Sequence, residues 1–266
     1  MNKWWQLTRA LIYRAWIQQK ITTVVVALAL GVMMGVMCVL DGAAVGTKQT
    51  PPAEMIAVVQ NVAELRGADG EIKALNSVLI MQMPALIALL VAVVATMILP
   101  GVVADDTEGS GLEVMLASGV PRRQLFAAYL AAGAALTLMG FVALLLGFIG
   151  AFLASVMVGG MSFSARSAWW IGVFVFPLAT GLWSASATLA GALLYPAGLE
   201  SKAGLNGGWV RVVALLPVIL LAAPLAFYGT QHPWLYFVAA VISLLLSWGA
   251  ISVVSRGFRT AKILRS

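Results

Sequence analysis

The stretch from Gln124 to Ala165 reads QLFAAYLAAGAALTLMGFVALLLGFIGAFLASVMVGGMSFSA and carries no Asp, Glu, Lys or Arg. A helix crossing a bilayer needs about 20 mostly apolar residues, so the run is long enough for one extended span or two short ones. Its first turn signal is Gly159-Gly160, and Gly is the residue that most readily ends a helix. The run therefore predicts one long helix over 125–158, entering the membrane from beyond the interface.

The rest of the chain has the same character. It contains 266 residues, 62% of them hydrophobic and 10% charged, whereas a soluble domain carries about 25% charged and 45–50% apolar residues. Water cannot solvate such a composition, so a bilayer is the expected solvent. Apolar runs at 21–40, 78–104, 125–158, 169–194, 212–228 and 234–254 predict an all-α integral membrane fold with six transmembrane helices. They form a single transmembrane domain over residues 1–266, which leaves no room for a soluble catalytic domain. The first run contains Gly31-Val-Met-Met-Gly35, a small-xxx-small spacing that lets another helix approach closely. It is also too long for a signal-peptide core and reads as a retained span. Between the first two runs lies a polar stretch, Asp41–Ser77, within which Ala53–Arg66 reads as a surface helix.

Residues 1–20 differ in character from the first apolar run. On a helical wheel Trp4, Trp5, Leu7, Leu11, Ile12, Ala15 and Trp16 share one half, and Lys3, Gln6, Arg9, Arg14 and Lys20 fill the other. Trp and Leu opposite Lys and Arg suit a helix lying in the plane of the membrane interface, against lipid.

Basic residues orient the chain, because cytoplasmic loops retain Lys and Arg. With both termini in the cytoplasm, that side holds Lys3, Arg9, Arg14, Lys20, Arg122, Arg123, Lys202, Arg211, Arg256, Arg259, Lys262 and Arg265, which is 12 of the 16 bases. Only Lys48, Arg66, Lys73 and Arg166 face outward. The split favours an even number of spans and accounts for the basic pI through anionic lipid headgroups, with no nucleic acid.

Chemistry is sparse. No Asp, Glu, Lys or Arg falls deep inside an apolar run, where an ionisable group would mark a proton or ion path. His232 is the only histidine and Cys38 the only cysteine, so neither a metal site nor a disulfide is expected. No phosphate-binding G-x-x-x-x-G-K-[ST] loop occurs. The chain reads as a non-enzyme, with no catalytic, cofactor-binding or metal residues of its own.

The one charged cluster between two long apolar runs is Asp105–Arg123, DDTEGSGLEVMLASGVPRR. Leu112, Met115 and Leu116 share one face of a short helix, Glu108 and Glu113 charge its N-terminal half, and Pro121 stops it. An apolar face on a short helix between spans can fill a groove on a partner, and an ordinary charged loop explains the same residues equally well.

The segment Glu108-Gly-Ser-Gly-Leu-Glu113, followed by hydrophobics and then Ser118-Gly-Val-Pro-Arg-Arg-Gln-Leu125, resembles the loop after the second span of type-2 ABC transporter permeases (ABC-2). Those commonly read E-x-G-[TS]-x-E-x-L-L, then V-[SP]-R and a hydrophobic, with Ser110-Gly111 here as a departure. The resemblance implies an export permease of a bacterial inner membrane, multi-pass, with a coupling helix between spans 2 and 3. It assigns the ATPase interface to Glu108, Gly109, Leu112, Glu113, Met115, Leu116 and Val120, and the N-terminal interfacial helix to Trp4, Trp5, Arg9 and Trp16. It further implies a separate ABC ATPase in two copies, which would bring the ATP and Mg, and a second permease chain, identical or similar, beside membrane lipids. Two other readings stay open on the residues alone: a six-span secondary transporter or channel, and a non-transporting membrane assembly subunit.

Overall fold

The structure is a computed structural model that describes residues 3–40, 53–108, 121–194, 209–229, 232 and 234–257. Helix α1 (Lys3–Lys20) passes without interruption through a π-helical stretch (Ile21–Val26) into α2 (Ala27–Met37). Then come α3 (Ala53–Gln60), strand β1 (Ala63–Arg66), α4 (Ala74–Met81), α5 (Met83–Glu108) and α6 (Arg122–Val158). Strand β2 (Ser162–Ala165), α7 (Ser167–Leu194), α8 (Trp209–Tyr228) and α9 (Trp234–Gly257) complete the chain.

The fold is almost wholly helical, as an apolar chain must be when its backbone polar groups have no water to bond. Among the described residues, three helices are long and apolar enough to cross a membrane, at 124–158, 167–191 and 234–252. A fourth arises if α4 and α5, bent by 45° at a short break, count as one. Two further apolar helices, at 23–37 and 210–222, are shorter. Long spans by this measure are thus fewer than the expected six.

The long run ends where its glycines stand. Gly160 has φ +59°, Met161 N–H donates to Val156 O at 3.0 Å and Gly160 N–H to Met157 O at 3.2 Å. This left-handed helix end satisfies two otherwise orphaned carbonyls. At 37 residues, α6 is about 55 Å long, well beyond the ~30 Å of a hydrocarbon core.

Helices α2 and α6 lie backbone against backbone. A methyl added at Gly31 would fall on the Leu144 carbonyl oxygen, one at Gly35 would stand 2.5 Å from Phe148 O, and one at Gly147 would fall on Leu28 O. Residue numbers rise together across these contacts, so the two helices run parallel. Further back, Leu11 and Ala15 of α1 share a core cluster with Leu125, Phe126, Ala128 and Tyr129 of α6. The N-terminal helix is therefore the continuation of α2, packed on the early turns of α6. Leu11 and Ala15, from the apolar half of the wheel, thus pack against protein along the early turns of α6.

Helix α7 is the centre of the bundle, contacting α5, α6, α8 and α9. Its span is 72% buried, against 28% for that of α9. Gly172 approaches Pro84 and Tyr236, Gly181 approaches Val91 and Thr137, and Gly191 approaches Val210.

One end of the bundle carries a cap. Strands β1 and β2 pair antiparallel, Ala63 opposite Ala165 and Arg66 opposite Ser162. One helix is expected over 53–66 from the sequence, but α3 stops at Gln60 and the chain turns extended. Alternation explains this: Ala63 and Leu65 are buried while Glu64 and Arg66 are partly exposed, the period-2 pattern of a half-buried strand. Asn76 Nδ2 donates to Cys38 O and Leu40 O at 2.9 and 3.1 Å, capping the end of α2. The α4–α5 bend has a direct cause. Pro84 has no N–H to give Ile80 O, four residues back, and Trp169 Nε1 donates to that freed carbonyl at 2.9 Å instead.

Candidate functional site

The end opposite the cap gathers α1, the start of α6, the end of α5 and the junction of α7 with α8. Glu108 is the last residue of α5. Gly109, Leu112, Glu113, Met115, Leu116 and Val120 lie outside the described residues. Their flanks are defined. Val94 of α5 lies 3.2 Å from a methyl placed at Gly140 of α6, and the two helices run antiparallel. Both ends of the 109–120 connection therefore belong to the α1 end of the bundle.

Pro121 is extended, with ψ 132°, and its carbonyl accepts from Gln124 N–H at 2.8 Å and Leu125 N–H at 3.1 Å. Proline suits this place because it begins a helix without needing a donor. Arg122 and Arg123 then occupy the first turn of α6, which holds no acid. Positive charge at a helix N-terminus opposes the macrodipole by about 0.3–1 kcal/mol per residue.

On α1 the packed face is Thr8, Leu11 and Ala15, each buried. Trp16 is half-buried, while Trp5 and Arg9 are exposed; Trp4 belongs to the helix, but its side chain is outside the described set. The interfacial residues thus divide. Trp5 and Arg9 face outward with Tyr13 and Ile17, and Trp16 flanks the α6 contact.

Helix α7 also carries a hydroxyl seam that the sequence pattern alone did not bring forward. Ser184 Oγ donates to Ala214 O of α8 at 2.9 Å, next to the carbonyl that Pro217 leaves without its usual donor. Thr180 Oγ1 donates at 3.0 Å to Phe176 O and Pro177 O, Ser186 to Leu182 O at 2.7 Å and Thr188 to Ser184 O at 2.6 Å. The run Ser184-Ala-Ser-Ala-Thr188 was the available signal. Small and hydroxylated residues in an apolar helix mark a face that meets other helices closely. Among the described residues no group of three His, Cys, Asp or Glu could hold a metal ion.

No family model, curated protein or solved structure matches this chain.

Proposed function

We propose that this chain is the membrane permease subunit of an ATP-binding cassette exporter, driven by a separate ATPase that supplies ATP and Mg. The observation that carries the reading is the segment from Glu108 to Leu125. Its motif joins two antiparallel apolar helices at the bundle end where α1 and the paired arginines Arg122 and Arg123 also lie. One ATPase copy would dock there, on the coupling residues Glu108, Gly109, Leu112, Glu113, Met115, Leu116 and Val120, and a second permease chain, seating the second ATPase copy, would complete the pathway.

In this reading the protein crosses a bacterial inner membrane six times, through α2, the bent α4–α5 pair, α6, α7, α8 and α9, with both termini in the cytoplasm and the cap outside. Length arithmetic supports α2 as a span despite its shortness. The apolar helix from Ile21 to Met37, 6 π-helical and 11 α-helical residues, rises about 25 Å and reaches the short end of the range of about 17–25 residues that spans a bilayer. The Gly31/Gly35 face lies against α6, so a second permease chain would use another surface, and the broad apolar face of α9 (Trp234, Phe237, Val241, Leu245, Trp248) is open to it or to lipid.

The neighbouring reading frame is expected to encode a protein with the phosphate-loop motif that this chain lacks, and co-expression with that protein tests the proposal. The expected result is a complex that survives purification and hydrolyses ATP. A purified chain that moves solute alone under an ion gradient, and binds no ATPase, refutes it.

A further inference from the structure

The two strands of the cap are closed to different degrees. Arg166 N–H donates to Val62 O at 3.0 Å, and these two residues continue the register in which Ala63 faces Ala165. Directly bonded pairs alternate along an antiparallel ladder. Ser164 and Ser162 of β2 therefore bond to Glu64 and Arg66, while the N–H and C=O groups of Leu65 on β1, and of Phe163 and Ala165 on β2, point away from the partner strand. On β1 the outward groups are taken up: Leu65 N–H donates to Ser77 Oγ at 2.8 Å, and Leu65 O accepts from Lys73 N–H at 2.9 Å. On β2 they stay open. Among the described residues, Phe163 and Ala165 have no partner for their outward groups, and the elements in broad contact with the strand are β1 and α6.

An open strand edge is a template for another strand, and proteins that must avoid pairing guard it with Lys, Pro or a bulge. Strand β2 has none of these. It reads Ser-Phe-Ser-Ala, and its register against β1 is unbroken. The nearest charge, Arg166, is turned to the β1 side, where its guanidinium donates to Asn61 Oδ1 at 2.8 Å. The strand also matches a copy of itself. With Ser164 opposite the partner's Ser164, Phe163 of each strand stands opposite Ala165 of the other, and every outward N–H and C=O meets its counterpart. No like charges are opposed, and two serine hydroxyls can bond across the axis. The symmetry suits a bilayer as well. The two-fold axis of an antiparallel pair stands perpendicular to its sheet. One face of this sheet sets Phe163 on Phe152, Trp169 and Trp170 at the helix ends, and the other exposes Ser162 and Ser164. The axis thus runs from cap to bundle, and the copy that it generates sits the same way up in the same membrane.

We propose that the open edge of β2 is the docking surface for a second copy of this chain, paired antiparallel about Ser164 so that the two caps form one continuous sheet. This deepens the export reading by placing its second permease chain. The pairing itself rests on the strand edge, and ATPase docking enters nowhere in its geometry.

Oxidative cross-linking of the full chain in its native membranes tests the proposal, with Cys38→Ala removing the only natural thiol. Ser164→Cys should give a disulfide-linked dimer, because directly opposed residues of a non-bonded pair bring their Cα atoms to about 4.5 Å, within disulfide reach. Ser162→Cys should stay monomeric, since its counterpart lies four residues further along the strand, about 13 Å away. Equal cross-linking at both positions, or none at Ser164, overturns the proposal. Ser164→Lys is an exposed change that sets like charges opposite each other. It should lower the recovery of one tagged copy with another about fivefold, and pairing it with a Ser164→Glu copy should restore the recovery. Undiminished pairing in Ser164→Lys overturns the docking surface, whereas ATPase co-purification from the same membranes reports separately on the export reading.

Discussion

Replacing Gly31 by alanine is the sharpest test of how this bundle is held together. The added methyl would coincide with the Leu144 carbonyl oxygen and lie 2.8 Å from Phe148 N. Backbone atoms cannot rotate away as a side chain can. Carbon contacts are best at about 3.5–4.0 Å, so α2 and α6 must part by about 1 Å. A gap of that size forfeits about a quarter to a half of each contact's attraction along the seam, and overpacking of this kind typically costs about 1–3 kcal/mol. Gly150 is the control. It lies on the same helix as Leu144, is exposed, and a methyl there meets nothing within 4 Å. Alanine at Gly150 should therefore gain up to about 1 kcal/mol of helix propensity. The same propensity gain applies at Gly31, so the expected difference between the two variants is the overpacking cost, ~1–3 kcal/mol. SDS titration in mixed micelles, followed by tryptophan fluorescence, measures it. If Gly31→Ala and Gly150→Ala unfold within about 0.5 kcal/mol of each other, the additivity error of such comparisons, the backbone-to-backbone seam is wrong. If Gly31→Ala instead dissociates a dimer without loosening the protomer, the glycine pair belongs between chains.

Trp169→Phe removes the donor to Ile80 O and should cost about 1–3 kcal/mol in thermal unfolding; adding Pro84→Ala, which restores a backbone N–H for that carbonyl, should recover part of it. No recovery would mean that the proline is not the cause of the bend. Glu113→Lys should reduce co-purification with the ATPase, or abolish substrate-stimulated hydrolysis, while expression and insertion stay normal; wild-type behaviour in both assays would remove the coupling role. On a Cys38→Ala background, Asp69→Cys at the exposed cap should label from outside intact cells and Asp106→Cys should not, and the reverse pattern would invert the orientation.

How much of this architecture could be read from residues alone depends on the range of the signal. The charge-free run after Gln124 reads as a helix, and so does its end, because Gly159-Gly160 is a local signal and the left-handed turn it forms is a local structure. The strand at 63–66 could not be read in the same way. Four residues of alternation inside a polar stretch weigh nothing until β2, about a hundred positions later, supplies the partner. The N-terminal helix shows the limit most clearly. Its wheel correctly separates an apolar half, with Leu11 and Ala15 near its centre, but amphipathicity says only that a face seeks an apolar neighbour. Lipid and the early turns of α6 satisfy that demand equally well in the sequence. What separates them is the parallel register of α2 on α6, set by Gly31, Gly35 and Gly147. Once three glycines bring those backbones together, any uninterrupted helix upstream of α2 is carried along the same partner. The glycines of the first span therefore determine what the tryptophan-rich segment touches, and a small-xxx-small motif that suggests pairing between chains is used within one.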